Sequence, residues 1–71
     1  MEAKSEITGR VLEVAAKPGQ TLAEDDPIVV LESMKMEIAV TAPRAGTLRE
    51  IRVAVDDLVE EGQVVALLDP A

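Results

Sequence analysis

Seventy-one residues, 48% of them hydrophobic, suffice for one small domain, residues 1–71, and leave no room for a second. The chain has no Phe, Tyr, Trp, Cys or His, which excludes disulfides, the usual zinc ligands and any Ser-His-Asp or Cys-His catalysis. Fourteen acidic against seven basic residues, a formal charge of −7, would repel a nucleic acid, and no aromatic ring offers a stacking platform. The first residues, Met1 to Glu6, carry acids and lack the apolar stretch of a signal peptide. A frayed end that includes Lys4 is expected there, with ordered structure over about residues 5–70. No apolar run approaches the length of a membrane span, so a cytoplasmic protein without membrane contacts is expected.

The chain repeats itself. Shifted by 37 residues, Gly9-Arg10-Val11-Leu12-Glu13-Val14 falls on Gly46-Thr47-Leu48-Arg49-Glu50-Ile51 without a gap. Further on, Leu22-Ala23-Glu24 falls on Val59-Glu60-Glu61, and Ile28 to Glu32 on Val65 to Asp69. A Val/Leu/Glu-rich composition produces chance matches, but here glycine, acids and apolar runs stay in register together. Two related halves packed face to face would bury what neither buries alone.

Each half reads as short antiparallel strands between turns. Val11, Leu12 and Val14 follow Gly9, and Leu48, Ile51, Val53 and Val55 follow Gly46, largely in β-type alternation. Lys17-Pro18-Gly19-Gln20 has the chemistry of a turn, and Val55-Asp56-Asp57-Leu58 is its expected acidic counterpart. Asp25-Asp26-Pro27 and Glu60-Glu61-Gly62-Gln63 lead into the last apolar run of each half. Asp25-Asp26 and Asp56-Asp57 each fall in an expected turn of one half, which marks them as turn formers rather than paired metal ligands. Gly9 and Gly46 point either to special backbone dihedrals or to close approach of another strand.

Residues 27–41 resist this reading locally. They contain no Gly, Asn or Asp, and Ile28, Leu31, Met34 and Ile38 share one helical face behind Pro27. The repeat argues otherwise, because the matching run Val65 to Leu68 stops at Asp69-Pro70 with no room for a helix. Two strands, about 27–32 and 37–41, folded back at Ser33-Met34-Lys35-Met36, are therefore expected. Met and Lys suit such a turn poorly, since its positive φ favours Asn-Gly. A turn that breaks its own local rule often marks a functional site.

Of the three lysines, Lys4 lies in the expected frayed end, Lys17 in a turn, and Lys35 between the two repeats. Met34 and Met36, the flexible thioethers beside it, suit an adaptable contact surface. A lysine held out at a hairpin tip suits covalent attachment of a long arm. It does not suit catalysis, because exposed lysines are mostly protonated and weakly nucleophilic. On spacing alone, a Met-Lys-Met with no role stays open.

Glu32-Ser33-Met34-Lys35-Met36-Glu37-Ile38 closely resembles the attachment motif of biotinyl domains, in which a lysine between two methionines receives biotin. Ala42-Pro43-Arg44-Ala45-Gly46 is similar to the segment opening the second half in that family, and Glu60 to Val65 to its turn before the last strand. The resemblance covers about residues 5–69 and is closest to small stand-alone biotin/lipoyl attachment proteins. It implies an all-β fold: a flattened barrel, or barrel-sandwich hybrid, of two four-stranded antiparallel sheets with quasi-two-fold symmetry. It also implies an acceptor lysine on a hairpin turn opposite the termini. Lys35 would then be the biotin acceptor, with Met34 and Met36 flanking it for recognition by a biotin protein ligase and by carboxylase subunits. The implied role is not catalytic: carboxybiotin is carried between the biotin carboxylase and carboxyltransferase sites of a biotin-dependent carboxylase resembling acetyl-CoA carboxylase, by a swinging arm on a chain monomeric in isolation.

Two departures stand out. Ser5-Glu6-Ile7-Thr8-Gly9 replaces the usual Pro-rich opening, and Ser33 stands where alanine is common. Lipoyl domains share the fold but usually carry Asp-Lys-Ala, so the two methionines favour biotin over lipoate on the same Lys35. An unmodified docking module of the same fold is the remaining alternative. Glu32 and Glu37 flank the turn, either as a solvated acidic rim or as an aid to ligase choice.

Overall fold

The computed structural model describes residues 1–71 and consists of eight strands: β1 (Glu2–Lys4), β2 (Gly9–Val14), β3 (Thr21–Leu22), β4 (Pro27–Ser33), β5 (Met36–Thr41), β6 (Gly46–Ile51), β7 (Leu58–Val59) and β8 (Val64–Pro70). They form two four-stranded sheets, in the orders β1-β8-β6-β3 and β5-β4-β2-β7, and every pairing is antiparallel. The 37-residue shift carries one sheet onto the other, irregularities included. The β2–β4 ladder slips between Val11 and Glu13, and the β6–β8 ladder at the matching Leu48 and Glu50.

The core obeys the same relation. Ala3 matches Val40, Ser5 Ala42, Val11 Leu48 and Ala16 Val53, while Leu22 matches Val59, Ile28 Val65, Val29 Ala66 and Leu31 Leu68. Every residue in these pairs is buried. Without an aromatic ring, this space is filled by branched aliphatic chains and alanine alone. Ser5, the one buried polar residue, is satisfied locally. Its hydroxyl donates to the Ile7 carbonyl at 2.5 Å, and its N–H donates to the Gln63 carbonyl at 3.0 Å.

Four turns close the halves, and their third residues, Gly19, Asp25, Asp56 and Gly62, have φ of 90°, 71°, 76° and 83°. This is the left-handed conformation a type II turn needs there. In each, the next residue's side-chain oxygen accepts an N–H three residues back. Gln20 binds Lys17 at 3.1 Å, Asp26 Ala23 at 2.9 Å, Asp57 Ala54 at 2.9 Å and Gln63 Glu60 at 3.0 Å. The Asp pairs are thus turn chemistry, as expected, and no group of acids is placed to hold a metal ion.

Several expectations need correction. The N-terminus does not fray: β1 pairs with β8, Ala3 is 2% exposed, and the N-terminal amine donates to the Leu68 carbonyl at 2.6 Å. The single apolar residue between Glu2 and Lys4 is the one facing the core, which is all a three-residue strand requires. The second-half turn runs from Ala54 to Asp57, one residue earlier than expected, because β6 ends at Ile51. Val53 is then buried and Val55 exposed. The β4–β5 hairpin is tighter too: Ser33 pairs with Met36, which leaves two turn residues.

Gly9 and Gly46 are set by close approach, since neither has positive φ. A Cβ on Gly9 would lie 2.7 Å from the Glu32 carbonyl oxygen, and one on Gly46 would press on that of Asp69. The obstacles are backbone atoms of the neighbouring strand, which cannot swing aside. Gly9→Ala and Gly46→Ala are each expected to cost about 1–3 kcal/mol, read as a lowered urea midpoint, with Gly46→Ala the more damaging.

Candidate functional site

The β4–β5 ladder fixes the position of Lys35. Paired residues from Pro27–Thr41 to Ser33–Met36 leave only Met34 and Lys35 to turn the chain. Their φ values are 51° and 66°, so both adopt the left-handed region that a two-residue type I′ turn demands. Neither has the glycine or asparagine that accepts it readily, and each such residue costs of order 1 kcal/mol. The long ladder holds the turn in place against that cost.

The result is a lysine displayed in isolation. Met34 is 91% exposed and Met36 58%, and Lys35 between them is also exposed. Lys35 takes part in none of the five ion pairs, whose cations are Lys4, Arg10, Arg49 and Arg52. The one hollow in the surface, about 140 Å³, lies between Lys4, Glu6 and Ile7 and the β5 residues Ile38 to Thr41. It does not include Lys35. The tip therefore offers an amine with free access from solvent.

Beneath the tip, one row of paired residues crosses the sheet: Glu37 on β5, Glu32 on β4, Arg10 on β2 and Leu58 on β7. Facing carboxylates at Glu32 and Glu37 repel each other. Arg10 offsets this from one side, reaching Glu32 at 3.4 Å and Asp56 at 3.7 Å, while Glu37 has no ion-pair partner. The sequence-expected residues Met34, Lys35, Met36, Glu32 and Glu37 thus lie together. Arg10 on the neighbouring β2, with Asp56 and Leu58 beyond it toward the β7 edge, joins them in the same sheet, and these three were not anticipated. The repeat held one signal for Leu58, which falls on Thr21 and so breaks the match of polarity.

The chain ends lie away from this site. β5 leads from the tip for six residues, roughly 20 Å at strand spacing. Beyond its end the chain reaches Gly46, which pairs with Pro70, while Ala71 donates to the Ala45 carbonyl and Met1 exchanges hydrogen bonds with Leu68.

A family model described as Biotin-requiring enzyme, the biotin/lipoyl family, matches residues 1–68. The chain belongs to the biotin/lipoyl attachment family. It is 39% identical over 67 residues to the biotinylated protein TB7.3 homolog of Mycobacterium leprae, covering 94% of each chain. It is 41% identical over 61 residues to the dihydrolipoyllysine-residue acetyltransferase component of the pyruvate dehydrogenase complex of Cupriavidus necator. That match takes 86% of this chain but only 11% of the longer protein. Among solved structures, the Kluyveromyces lactis urea carboxylase contains a domain that superposes with a TM-score of 0.93 at 32% identity, over 97% of this chain and 6% of that one. Domains of the biotin/lipoyl attachment family are carriers, not catalysts.

The strain at the tip is testable on the attachment-family fold itself. Met34→Asn combined with Lys35→Gly is expected to raise stability by about 1 kcal/mol in chemical denaturation, because both φ values become easy to adopt. A variant more stable than the parent yet without the lysine would separate the demands of folding from those of the tip.

Proposed function

We propose that this chain is a biotin carrier in which Lys35 is the attachment residue. The observation that carries the reading is Met34-Lys35-Met36 on a two-residue turn, strained in φ and exposed on every side. The flanking methionines present two polarizable, conformationally adaptable contacts to whatever protein approaches the amine. The domain's own residues do three things. The β4–β5 ladder holds the tip away from the sheets, the turn keeps the Lys35 amine clear of the nearby carboxylates, and the rest of the fold supplies a rigid handle.

A ligase would first activate the carboxyl of biotin and then, taking the proton from the Lys35 Nζ, let the amine displace the activating group to form the amide, since this chain has no histidine to act as the base. Biotin, once attached, supplies the carboxyl-transfer chemistry, taken up at a biotin carboxylase site and delivered at a carboxyltransferase site. The carrier's contribution is tethering, which replaces free diffusion by a high effective concentration at both sites. The match to a domain of urea carboxylase supports a carboxylase as the assembly served.

A second reading has its own support. The 41% identity to a dihydrolipoyllysine-residue acetyltransferase component favours lipoate on the same Lys35. Co-expression with a biotin ligase and, separately, a lipoate ligase, followed by intact mass and peptide mapping, distinguishes the two. A single biotin on Lys35, absent in Lys35→Arg, is the expected outcome. Lipoate alone would transfer the same site to acyl carriage, and an adduct that persists in Lys35→Arg would refute the assignment of the residue.

A further inference from the structure

The internal repeat supplies its own control for surface residues. Positions 37 apart share backbone and burial, so an exposed site that is apolar in one half and polar in the other is not set by the fold. Four large apolar side chains stand exposed: Met34, Met36, Val55 at 54% and Leu58 at 78%. All lie toward the hairpin end. Leu58 closes the row that runs from Glu37 through Glu32 and Arg10, and Val55 precedes Asp56, which reaches Arg10. In the other half the matching row reads Thr21, Thr47 and Asp69, and Pro18 stands in the place of Val55. A lone exposed leucine needs no explanation. A leucine in place of threonine at an equivalent strand position, level with the base of the lysine turn, does.

Building on the reading of Lys35 as the attachment residue, we propose that Leu58 is a specificity contact for the ligase that acylates Lys35. The contact is received by an apolar depression with a cationic rim. Three strand spacings separate β7 from β5, about 14 Å. A standard interface covers about 800 Å² on each partner, a patch of comparable radius, so a protein seated over the Lys35 turn reaches Leu58. Glu32, Glu37 and Asp56 surround the row with Arg10 as its one cation, and Glu37 lacks an ion-pair partner. These carboxylates call for positive charge around the depression. They disfavour a second copy of this chain, whose charge is −7. Arg10 tethers the Asp56 turn to the Glu32 strand, so leucine and lysine are displayed on one connected frame.

The test compares the parent with Leu58→Thr, which installs the residue of the matching position, and with Thr21→Leu as the mirror control. Each is assayed for incorporation of biotin by a biotin protein ligase with biotin and ATP, under initial-rate conditions. Leu58→Thr is expected to raise the KM for the domain roughly tenfold with kcat little changed, as loss of a buried leucine contact implies. Its thermal midpoint should match the parent, because Leu58 contributes little to the core. Thr21→Leu should leave both constants at parental values. A KM for Leu58→Thr within twofold of the parent overturns the proposal while leaving Lys35 as the attachment site. If only a lipoate ligase modifies the parent, a KM of Leu58→Thr for that enzyme within twofold of the parent likewise overturns the contact. A parent modified by neither overturns the carrier reading and this contact with it.

Discussion

Every other feature of this molecule rests on the sharing of one aliphatic core between two halves of the chain. Neither half builds a sheet of its own: β4 and β2 of the first half lie between β5 and β7 of the second, and β8 and β6 of the second lie between β1 and β3 of the first. Each half therefore needs the other for its strand pairing as well as for its buried face. A core without aromatic rings or disulfides has little reserve at any single residue. Stability comes instead from repetition, with each buried position supported by an equivalent one across the pseudo-dyad.

Against that symmetry, function shows as departure. The fold treats the two ends of the molecule alike, yet one carries a strained turn bearing a lysine between methionines and the other carries the chain termini. The turns show the reverse case. Glycine and aspartate alternate at their third positions without changing the conformation, because the side-chain cap that follows each one is kept. Variation at Gly19 and Asp56 is structurally silent, whereas the residues at the Lys35 turn are ones that local propensity would reject.

Much of this was legible in the sequence because the repeat converts a weak local pattern into a paired one. Residues 27–41 read locally as a helix, and only the match of Ile28–Leu31 to Val65–Leu68 identified strands. The acidic turn of the second half was placed one residue late, although a strict 37-residue shift of Lys17–Gln20 gives Ala54–Asp57. Where it was not applied, the reading failed. The strand at Glu2–Lys4 is too short to show alternation, although Ala3 lies 37 residues from the buried Val40. Leu58 passed as an ordinary apolar residue, because composition does not say which face of a two-residue strand meets water.

The separation of the tip from both termini has a consequence for reach. Under the proposed attachment at Lys35, a joint made at either terminus lies at the end of the body away from the lysine, and an arm on Lys35 would begin at the other. The rigid strands between them act as a boom about 20 Å long. It lengthens the sweep of the tethered group without adding a flexible segment. A linker of the same reach would need more residues and would lose more freedom each time it docked. Under that proposal the sheets act as a spacer as well as a scaffold, with the length of β4 and β5 setting how far Lys35 stands from the termini.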